Sequence, residues 1–489
     1  MAQDLKALIV VLFLTLPIWL LSASFFSKFS STATFRSRRN TWVILTILGF
    51  VSPSIWIYLL IAFPLVYRAA RLDPNPAALF ILIFFAVPNA QVSIPGLPFE
   101  IFPIGHRRML ALAFIIPIIS AKVPLGQGRR KIFDLMFITL LAFVSLNFVL
   151  DAPYRSQTHN LRELILIFLD TVFIYFIFSS LFGKSERILD CFSMWVLVAI
   201  LLSVVAIFEY LKGWLLYTGI NARWGDENIF SFLMRAGSLR AQASTGHSLG
   251  LGLWLAIAWP FFLVIQRNRE RFNLKLFIFG ALIILGLWSS GSRGPWLAAL
   301  IATFVYFGMN PGGASRGVRD LIKIIILLGV IFISPIGQKI IPYLPFVGTI
   351  DSDNVDYRVR LFEVCINLIN SNPFFGDPFA ANQMESLRQG QGIIDLVNGY
   401  LLIAVFHGLI ALGLFLALLL VGMWRTVVVW QKVRTKDPES GYIGAALAAA
   451  MIGNMLFIAT AGIDPETYIL AGMMSVYWWK YREEKLGHK

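Results

Sequence analysis

The sequence predicts an all-α fold, a polytopic bundle of membrane-spanning helices, and three observations support this prediction. Of the 489 residues, 58% are hydrophobic and only 14% are charged, and the mean hydropathy is +0.74. A soluble chain with so little charge could not cover its own surface. The apolar residues form runs long enough for a helix to cross the hydrocarbon core of a bilayer, and short basic segments separate many of these runs.

The apolar runs predict about 14 membrane spans, within a range of roughly 12–15. We treat residues 1–489 as a single integral membrane domain. The runs are 7–26, 41–67, 77–90, 107–121, 132–150, 161–182, 188–208, 248–266, 275–291, 295–309, 321–336, 395–423, 440–460 and 466–480. Run 41–67 contains Pro53 and Pro64, so it is either one kinked span or a helical hairpin.

Basic clusters assign the two sides of the membrane. From residue 68 onward they follow every second span, which places them in the cytoplasm by the positive-inside rule. The clusters begin at Arg68, Lys122, Lys184, Arg267, Arg316, Arg425 and Lys480. If Arg36–Arg39 also face inward, 41–67 must be a hairpin. The first run lacks a following cleavage site of small residues, so we expect a retained span rather than a signal peptide.

Two predicted outer loops, 209–247 and 337–394, are too long to be simple connections, and loops of this length are usually functional or disordered. Both contain apolar and aromatic residues, so we expect them to be ordered. The second contains a predicted amphipathic helix over 357–371. Its polar face carries Arg360, Glu363, Asn367 and Asn370, opposite Leu361, Val364, Leu368 and Ile369.

Arginines on the outer side are unexpected, because the positive-inside bias should deplete them there. They are Arg223, Arg235, Arg240, Arg293, Arg358 and Arg360. A guanidinium is permanently charged and binds two phosphate oxygens at once, which suits a lipid-linked diphosphate. The alternative is pairing with headgroups or nearby acids, and it applies to Arg223 (near Asp226 and Glu227) and Arg358 (near Asp356). Arg293 has no neighbouring acid in the sequence.

Four short motifs stand in order between residues 190 and 425. They are Arg240 ahead of the span that follows the first loop, Ser292-Arg293-Gly294, Arg360 followed by Asn372-Pro-Phe-Phe-Gly376, and Asn398-Gly-Tyr-Leu401 with Gly408. Together they resemble the O-antigen ligase and O-antigen polymerase superfamily. The corresponding elements of that family are an arginine before the same span, "SRG", "R-x-x-x-W…nPlfG" and "HN-x-x-L…E-x-G".

The resemblance implies a membrane glycosyltransferase in the bacterial inner membrane, with its active site facing the periplasm. Its substrates would be a polyprenyl-diphosphate-linked glycan donor and a glycan acceptor. Arg240, Arg293 and Arg360 would hold the diphosphate, with Arg235 and Arg358 as further binding residues. No cofactor and no metal are needed, because the arginines supply the positive charge. The implied partners are the lipid bilayer, a chain-length regulator and a flippase. Nucleic acid is not an expected partner.

Two departures from the family pattern favour a polymerase over a ligase. The ligases carry a histidine, their candidate base, where this chain has Val397, and the family's glutamate position is Phe406. The competing functions are an O-antigen ligase and a transporter or flippase of lipid-linked sugars. A transporter would place its binding residues near the bilayer midplane, often in repeated halves, and no internal repeat is evident.

A replacement for the missing base is sought among the outer polar residues. His247 is the first candidate, because the ordinary histidine pKa near 6.5 suits a base at neutral pH. Its alternative role is an interfacial histidine hydrogen-bonded to the backbone. Asp395, one helical turn before Asn398, and Glu363, on the face of Arg360, are the other candidates. Tyr400 is a candidate for stacking on a sugar ring.

Three further residues are assigned from their positions. Cys191 begins an apolar run and Cys365 lies in an outer loop, so no disulfide is expected between them. Asp170 lies within a predicted span, where an acid is costly. It either serves a functional site or pairs with a basic residue on another span.

Overall fold

The computed structural model describes residues 2–26, 28–93, 103–120, 134–179, 185–225, 233–235, 237–267, 273–311, 353–388 and 394–487, with single positions between 319 and 341. Helices dominate these residues, and the β-structure among them consists of two short antiparallel hairpins. The predicted all-α bundle is confirmed for this part of the chain. Most of the predicted span 321–336 and most of 337–352 lie outside the described residues.

Most of the described part of the chain consists of α-helices. They are α1 (Ala2–Phe26), α2 (Thr32–Val51), α3 (Ile55–Leu72), α4 (Pro76–Ile83), α5 (His106–Ser120), α6 (Leu135–Asp151), α7 (Gln157–Ile167), α8 (Phe173–Ser179), α9 (Ser185–Lys212), α10 (Thr218–Trp224), α11 (Ser248–Arg267), α12 (Leu274–Ser289), α13 (Arg293–Gly308), α14 (Asp353–Ser371), α15 (Gly399–Val433), α16 (Pro438–Ile458) and α17 (Glu466–Gly487). The hairpins are β1 (Gln91–Val92) with β2 (Ile104–Gly105), and β3 (Met234–Arg235) with β4 (Ser238–Leu239).

Seven of the described helices are long and apolar enough to cross a membrane: α1, α3, α6, α9, α11, α15 and α16. Large apolar side chains cover the outside of the bundle, and Phe13 and Leu60 are each 77% exposed. Water would disfavour so much exposed apolar surface, whereas lipid tails accept it. The chain is therefore a membrane-embedded helical protein, and the predicted number of about 14 spans stays a prediction.

Helices α9, α11 and α16 form the centre of the bundle. Trp195 of α9 stacks on Trp254 of α11 with ring centroids 4.0 Å apart. Phe192 and Phe261 stack in the same way at 3.9 Å. On α16, small residues permit close helix packing, and a Cβ at Gly453 would lie 3.3 Å from the carbonyl oxygen of Ala298 on α13.

Buried ion pairs show which helix ends meet at the basic end of the bundle, defined here as the end that carries Arg38 and Arg425. Arg38 of α2 pairs with Asp73 after α3 at 2.8 Å and with Asp190 of α9 at 2.7 Å. Arg425 of α15 pairs with Asp134 before α6 at 2.5 Å.

Arg223 identifies the opposite end, which we call the loop end. It pairs with Asp4 of α1 at 2.6 Å and donates to the carbonyls of Gly49 and Ser52, each at 3.0 Å. Arg38 of α2 and Asp73 after α3 meet at the basic end, whereas Ser52 between the two helices lies at the loop end, so residues 41–67 are a helical hairpin. This confirms the second of the two interpretations of that segment. Arg223 pairs with an acid, as its alternative role required, but the acid is Asp4.

Two predicted spans are interrupted. Of 77–90, only Pro76–Ile83 is helical, about 12 Å at 1.5 Å per residue, and Pro88 disfavours helical geometry at the residue before it. The span predicted at 161–182 contains a π-helical turn at Phe168–Val172. That turn carries Asp170, whose carboxylate lies 2.7 Å from the Arg108 guanidinium of α5. Asp170 thus pairs with a basic residue on another helix.

The predicted amphipathic helix of the second loop is present as α14, which ends at Ser371, just before Asn372-Pro373. Its buried face, Leu361, Cys365 and Ile369, packs on Ala404 and Val405 of α15. Both cysteines, Cys191 and Cys365, are buried and free, as expected.

Candidate functional site

Two of the predicted arginines converge on the tight turn between α12 and α13. Arg240 donates to the carbonyl of Ser290 at 3.3 Å and to the hydroxyl of Ser292 at 2.8 Å. Arg235, from the β3–β4 hairpin, donates to the carbonyl of Gly291. Arg293 follows directly as the first residue of α13. We call residues 290–293 with Arg235 and Arg240 the arginine turn.

The backbone of the arginine turn is held from several sides. Gly291 adopts a φ of 58°, in the left-handed region that favours glycine. The Ser292 hydroxyl lies 3.2 Å from the carbonyl of Ser248 at the start of α11. Trp288 and Trp296 stack across the turn with centroids 4.8 Å apart and planes 9° from parallel. The guanidinium groups are therefore carried on rigid backbone rather than on a mobile loop.

Arg358 reaches the same region from α14. It donates to the carbonyl of Thr460 at 3.3 Å, and the Thr460 side chain lies against Gly294 of α13. Burial lowers the pKa of Arg358, the Asp395 carboxylate raises it, and the charge of Arg235 lowers it. Arg358 thus lies within electrostatic reach of another arginine and of one predicted acid.

A cavity of about 380 Å³ lies near the arginine turn, since its lining includes His247, which is affected by the charge of Arg240. It lies between the start of α5, the segment before α11 and the connection from α16 to α17. Its charged and polar lining includes Asn89, Arg107, Asn221, His247, Asp464 and Glu466. We call it the acid cavity. Sequence reasoning selected only His247 from this set.

Glu209 fixes the wall that joins the cavity to the turn. This buried side chain at the end of α9 accepts hydrogen bonds from the backbone N–H groups of Leu216 (2.9 Å), Gln242 (3.0 Å) and Ala243 (2.8 Å). The segment between Arg240 and His247 is thereby held onto α9. Sequence reasoning missed Glu209, although an acid at the end of an apolar run is an unusual feature.

The acids of the cavity share one arginine. Arg107 interacts electrostatically with Glu466 and Asp464, and its guanidinium lies 4.4 Å from the centroid of the Phe84 ring. Glu466 is 3% exposed, and its Oε2 has no hydrogen-bond partner among the described residues. Burial raises the pKa of Asp464, and Arg107 opposes that rise. Two carboxylates close together in a buried site resist simultaneous ionisation.

His247 lies on the wall between the two features. Burial, together with the charge of Arg240, lowers its pKa to about 4, so the ring is neutral at pH 7. The backbone N–H of Leu249 donates to its Nδ1 at 3.1 Å. A neutral imidazole with Nδ1 as acceptor carries its proton on Nε2, so in this geometry the Nε2–H of His247 is a hydrogen-bond donor.

Other predicted residues take structural positions. Asn398 is the N-cap of α15, where its Oδ1 accepts from the N–H groups of Tyr400 (3.0 Å) and Leu401 (3.1 Å). The Tyr400 hydroxyl donates to the Met455 carbonyl of α16 at 3.0 Å. Arg360 and Glu363 lie on the exposed face of α14, and the structure gives them no side-chain hydrogen bond or ion pair with any described residue. Asp395 donates its backbone N–H to the Tyr357 hydroxyl at 3.1 Å.

Two motifs that resemble the family meet in space. The N–H of Leu409 donates to the carbonyl of Pro373 at 2.8 Å, and that of Asp377 donates to the carbonyl of Val405 at 2.9 Å. Gly376 and Gly408 both have positive φ, at 70° and 79°, and their backbones touch. The segment Asn372–Gly376 thus docks into a break in α15.

No protein-family model matches the chain, and no curated protein matches it at a significant level. Within the described residues, no group of three or more His, Cys, Asp or Glu side chains could hold a metal ion.

Proposed function

We propose that this protein is a membrane glycosyltransferase that polymerises polyprenyl-diphosphate-linked repeat units on the periplasmic face of the bacterial inner membrane. The arginine turn would bind the diphosphate of the donor. The observation that carries the proposal is the convergence of Arg235, Arg240 and Arg293 on one rigid turn, with Arg358 close by. The motif resemblance supports the polymerase class.

Electrostatics supports an anionic ligand at this turn. Like charges held close together destabilise the folded chain, and a bound diphosphate would relieve that repulsion. Guanidinium groups bind phosphate oxygens through two parallel N–H donors. When the glycosyl bond breaks, the leaving diphosphate gains negative charge, and preorganised positive groups stabilise that charge in the transition state.

An apolar groove supports a lipid-linked donor. It has a volume of about 760 Å³ and lies between α11, α12 and α13, the last two of which are joined by the arginine turn. Its lining runs from Leu287, next to the turn, to Phe277 and Leu276 near the opposite end of α12. A ligand with an anionic head at the turn and an isoprenoid tail in this groove would use both surfaces.

The test is a vesicle assay with a synthetic polyprenyl-diphosphate-linked repeat unit. Polymerisation predicts products that lengthen by whole repeat units. A single transfer to a second lipid would instead indicate a ligase. Movement of the substrate across the bilayer without a new glycosidic bond would indicate a transporter, and either result would overturn the proposal.

Substitution of Arg293 tests the role of the turn. Arg293→Ala should reduce polymer formation by about 10²–10³-fold, since loss of one group that stabilises developing charge has an effect of this size. Arg293→Lys should also retain little activity, because lysine keeps the charge but loses the two-pronged geometry. Polymer is measured alongside the amount of protein in the membrane. The control is Arg388→Ala, which changes an exposed arginine that pairs with the exposed Glu385. Normal polymer from Arg293→Ala would contradict the mechanism.

A further inference from the structure

We infer that the acid cavity is the acceptor site of this enzyme and that Glu466, paired with Asp464, is the base that takes the acceptor proton. The inference rests on the proposed function and adds to it a site, a ligand class and a catalytic residue. The ligand is the terminal sugar of the acceptor glycan, an uncharged polyol at the atoms that react.

The first argument is the unsatisfied polar lining. Glu466 and Asn221 are both nearly fully buried, and Oε2 of the first and Oδ1 of the second have no hydrogen-bond partner among the described residues. Buried polar atoms in native proteins are almost always paired, and exceptions concentrate at functional sites. Sugar hydroxyls donate and accept hydrogen bonds, so an acceptor sugar would satisfy both atoms. At about 380 Å³, the cavity is within the range of small-molecule sites.

The second argument is the charge balance. Arg107 is the cation that interacts with both Glu466 and Asp464. One arginine cannot neutralise two carboxylates, and repulsion between the acids favours proton uptake by one of them. Burial and, after it, the Asp464 carboxylate raise the pKa of Glu466 to about 8, and Arg107 opposes that rise. The ionised fraction of a carboxyl group whose pKa lies near the operating pH can take a proton, as general base catalysis requires.

The third argument is the position relative to the leaving group. His247 lies on the cavity wall and feels the charge of Arg240 in the arginine turn. Ala461 and Gly462 of the wall follow Thr460, which contacts both Arg358 and Gly294. An acceptor in the cavity and a diphosphate at the turn would therefore lie on neighbouring surfaces.

The step balances without a further reactant. The acceptor hydroxyl gives its proton to Glu466, and its oxygen forms a bond to the anomeric carbon of the donor. The bond from that carbon to the diphosphate oxygen breaks, and its electron pair leaves with the polyprenyl diphosphate at the arginine turn. The proton on Glu466 is then released to water.

The experiment compares Glu466→Gln with Glu385→Gln in the full-length protein. Glu385 is an exposed acid that pairs with Arg388, so its variant controls for the same chemical change. We expect Glu466→Gln to slow chain lengthening by about 10²–10⁴-fold, the usual effect of a lost general base. Glu385→Gln should polymerise at the wild-type rate. Because glutamine has the same shape as glutamate, the membrane level and melting temperature of Glu466→Gln should not fall.

A binding measurement separates this inference from the proposed function. Retention of radiolabelled polyprenyl diphosphate by the purified protein should be normal in Glu466→Gln and reduced in Arg293→Ala. If the wild type polymerises and Glu466→Gln does so at the same rate, the inference is wrong and the proposed function stands. If the Glu466→Gln protein is absent from the membrane, Glu466→Asp and Asp464→Asn provide the test. A normal membrane level and a wild-type polymerisation rate in both of these variants would assign the acids a structural role. A wild-type protein that neither binds the diphosphate nor makes polymer would overturn the proposed function, and the inference with it.

Discussion

Gly408 interrupts α15 with a φ of 79° and a ψ of 177°, a conformation open essentially to glycine alone. A Cβ at this position would overlap the backbone carbonyl of Phe374. Gly408→Ala therefore combines backbone strain of about 1–3 kcal/mol with displacement of the docked segment. The displaced bonds are those from Leu409 to Pro373 and from Asp377 to Val405, each worth about 0.5–1.5 kcal/mol. We expect a loss of about 2–6 kcal/mol in the free energy of unfolding.

Gly413 provides the matched control for this substitution. It lies in the same helix, and a Cβ at this position would have no neighbouring atom within 4 Å. Gly413→Ala should be neutral or slightly stabilising, because alanine has the higher helix propensity. Thermal unfolding of the purified proteins in detergent compares the two, with polymer formation measured in parallel. Equal melting temperatures for Gly408→Ala and the wild type would refute the view that the segment Asn372–Gly376 is locked into the helix break.

Three further predictions follow from described contacts. Arg223→Ala should lower the free energy of unfolding by up to about 3 kcal/mol, because Asp4 loses its partner. The polymerisation rate per folded molecule should stay normal. A fall in that rate without a fall in stability would contradict this prediction. The folded pKa of His247, about 4, lies below its ordinary value of 6.5, so the unfolded chain binds the proton first and stability falls as the pH drops from 6.5 to 4. His247→Gln should lack that part of the slope in pH-dependent unfolding curves, and an unchanged slope would refute the assignment. Arg388→Cys should react with an impermeant thiol reagent added from the periplasmic side, and Lys436→Cys should not react. The native Cys191 and Cys365 are buried, so they should give little background labelling. The reverse pattern would place the loop end in the cytoplasm.

Local patterns were sufficient to predict some elements. The turn at 292–294 could be predicted because Gly-Ser-Arg-Gly interrupts an apolar stretch. In the structure α12 ends at Ser289 and α13 begins at Arg293. Helix α14 could be predicted because its polar residues recur at helical spacing. Leu361 and Ile369 then lie on the opposite, buried face. These elements are determined mainly by residues within a few turns of one another.

Other elements depend on distant partners and could not be predicted in this way. Residues Ala77–Ile83 are apolar on every side, so their periodicity says nothing about where the helix ends. The break at Gly408 needs hydrogen-bond partners from Asn372–Gly376, and nothing near Gly408 in the sequence reveals that they are available. Glycine within an apolar helix is common in membranes, so it is weak evidence by itself.

The acids of the cavity lie outside the two long loops, so loop length gave no indication of them. Asp464 and Glu466 stand at a connection of only a few residues, and Arg107 follows another connection, where the positive-inside bias should have made it conspicuous. The feature in the sequence that indicates this site is a pair of acids, separated only by Pro465, at the start of an apolar run. Charged residues at the ends of apolar runs indicate functional sites whether or not the adjoining loop is long.

The separation of charge at the loop end suits the two roles proposed for the acid cavity and the arginine turn. Carboxylates placed directly against the arginine turn would pair with its guanidinium groups, and neither a free base nor a free diphosphate site would remain. In the structure the cavity acids interact with Arg107, whereas Arg240 acts on His247. A neutral histidine thus lies between the negative and positive halves. The arrangement keeps a proton acceptor and an anion site close together, which is what a displacement with a charged leaving group requires.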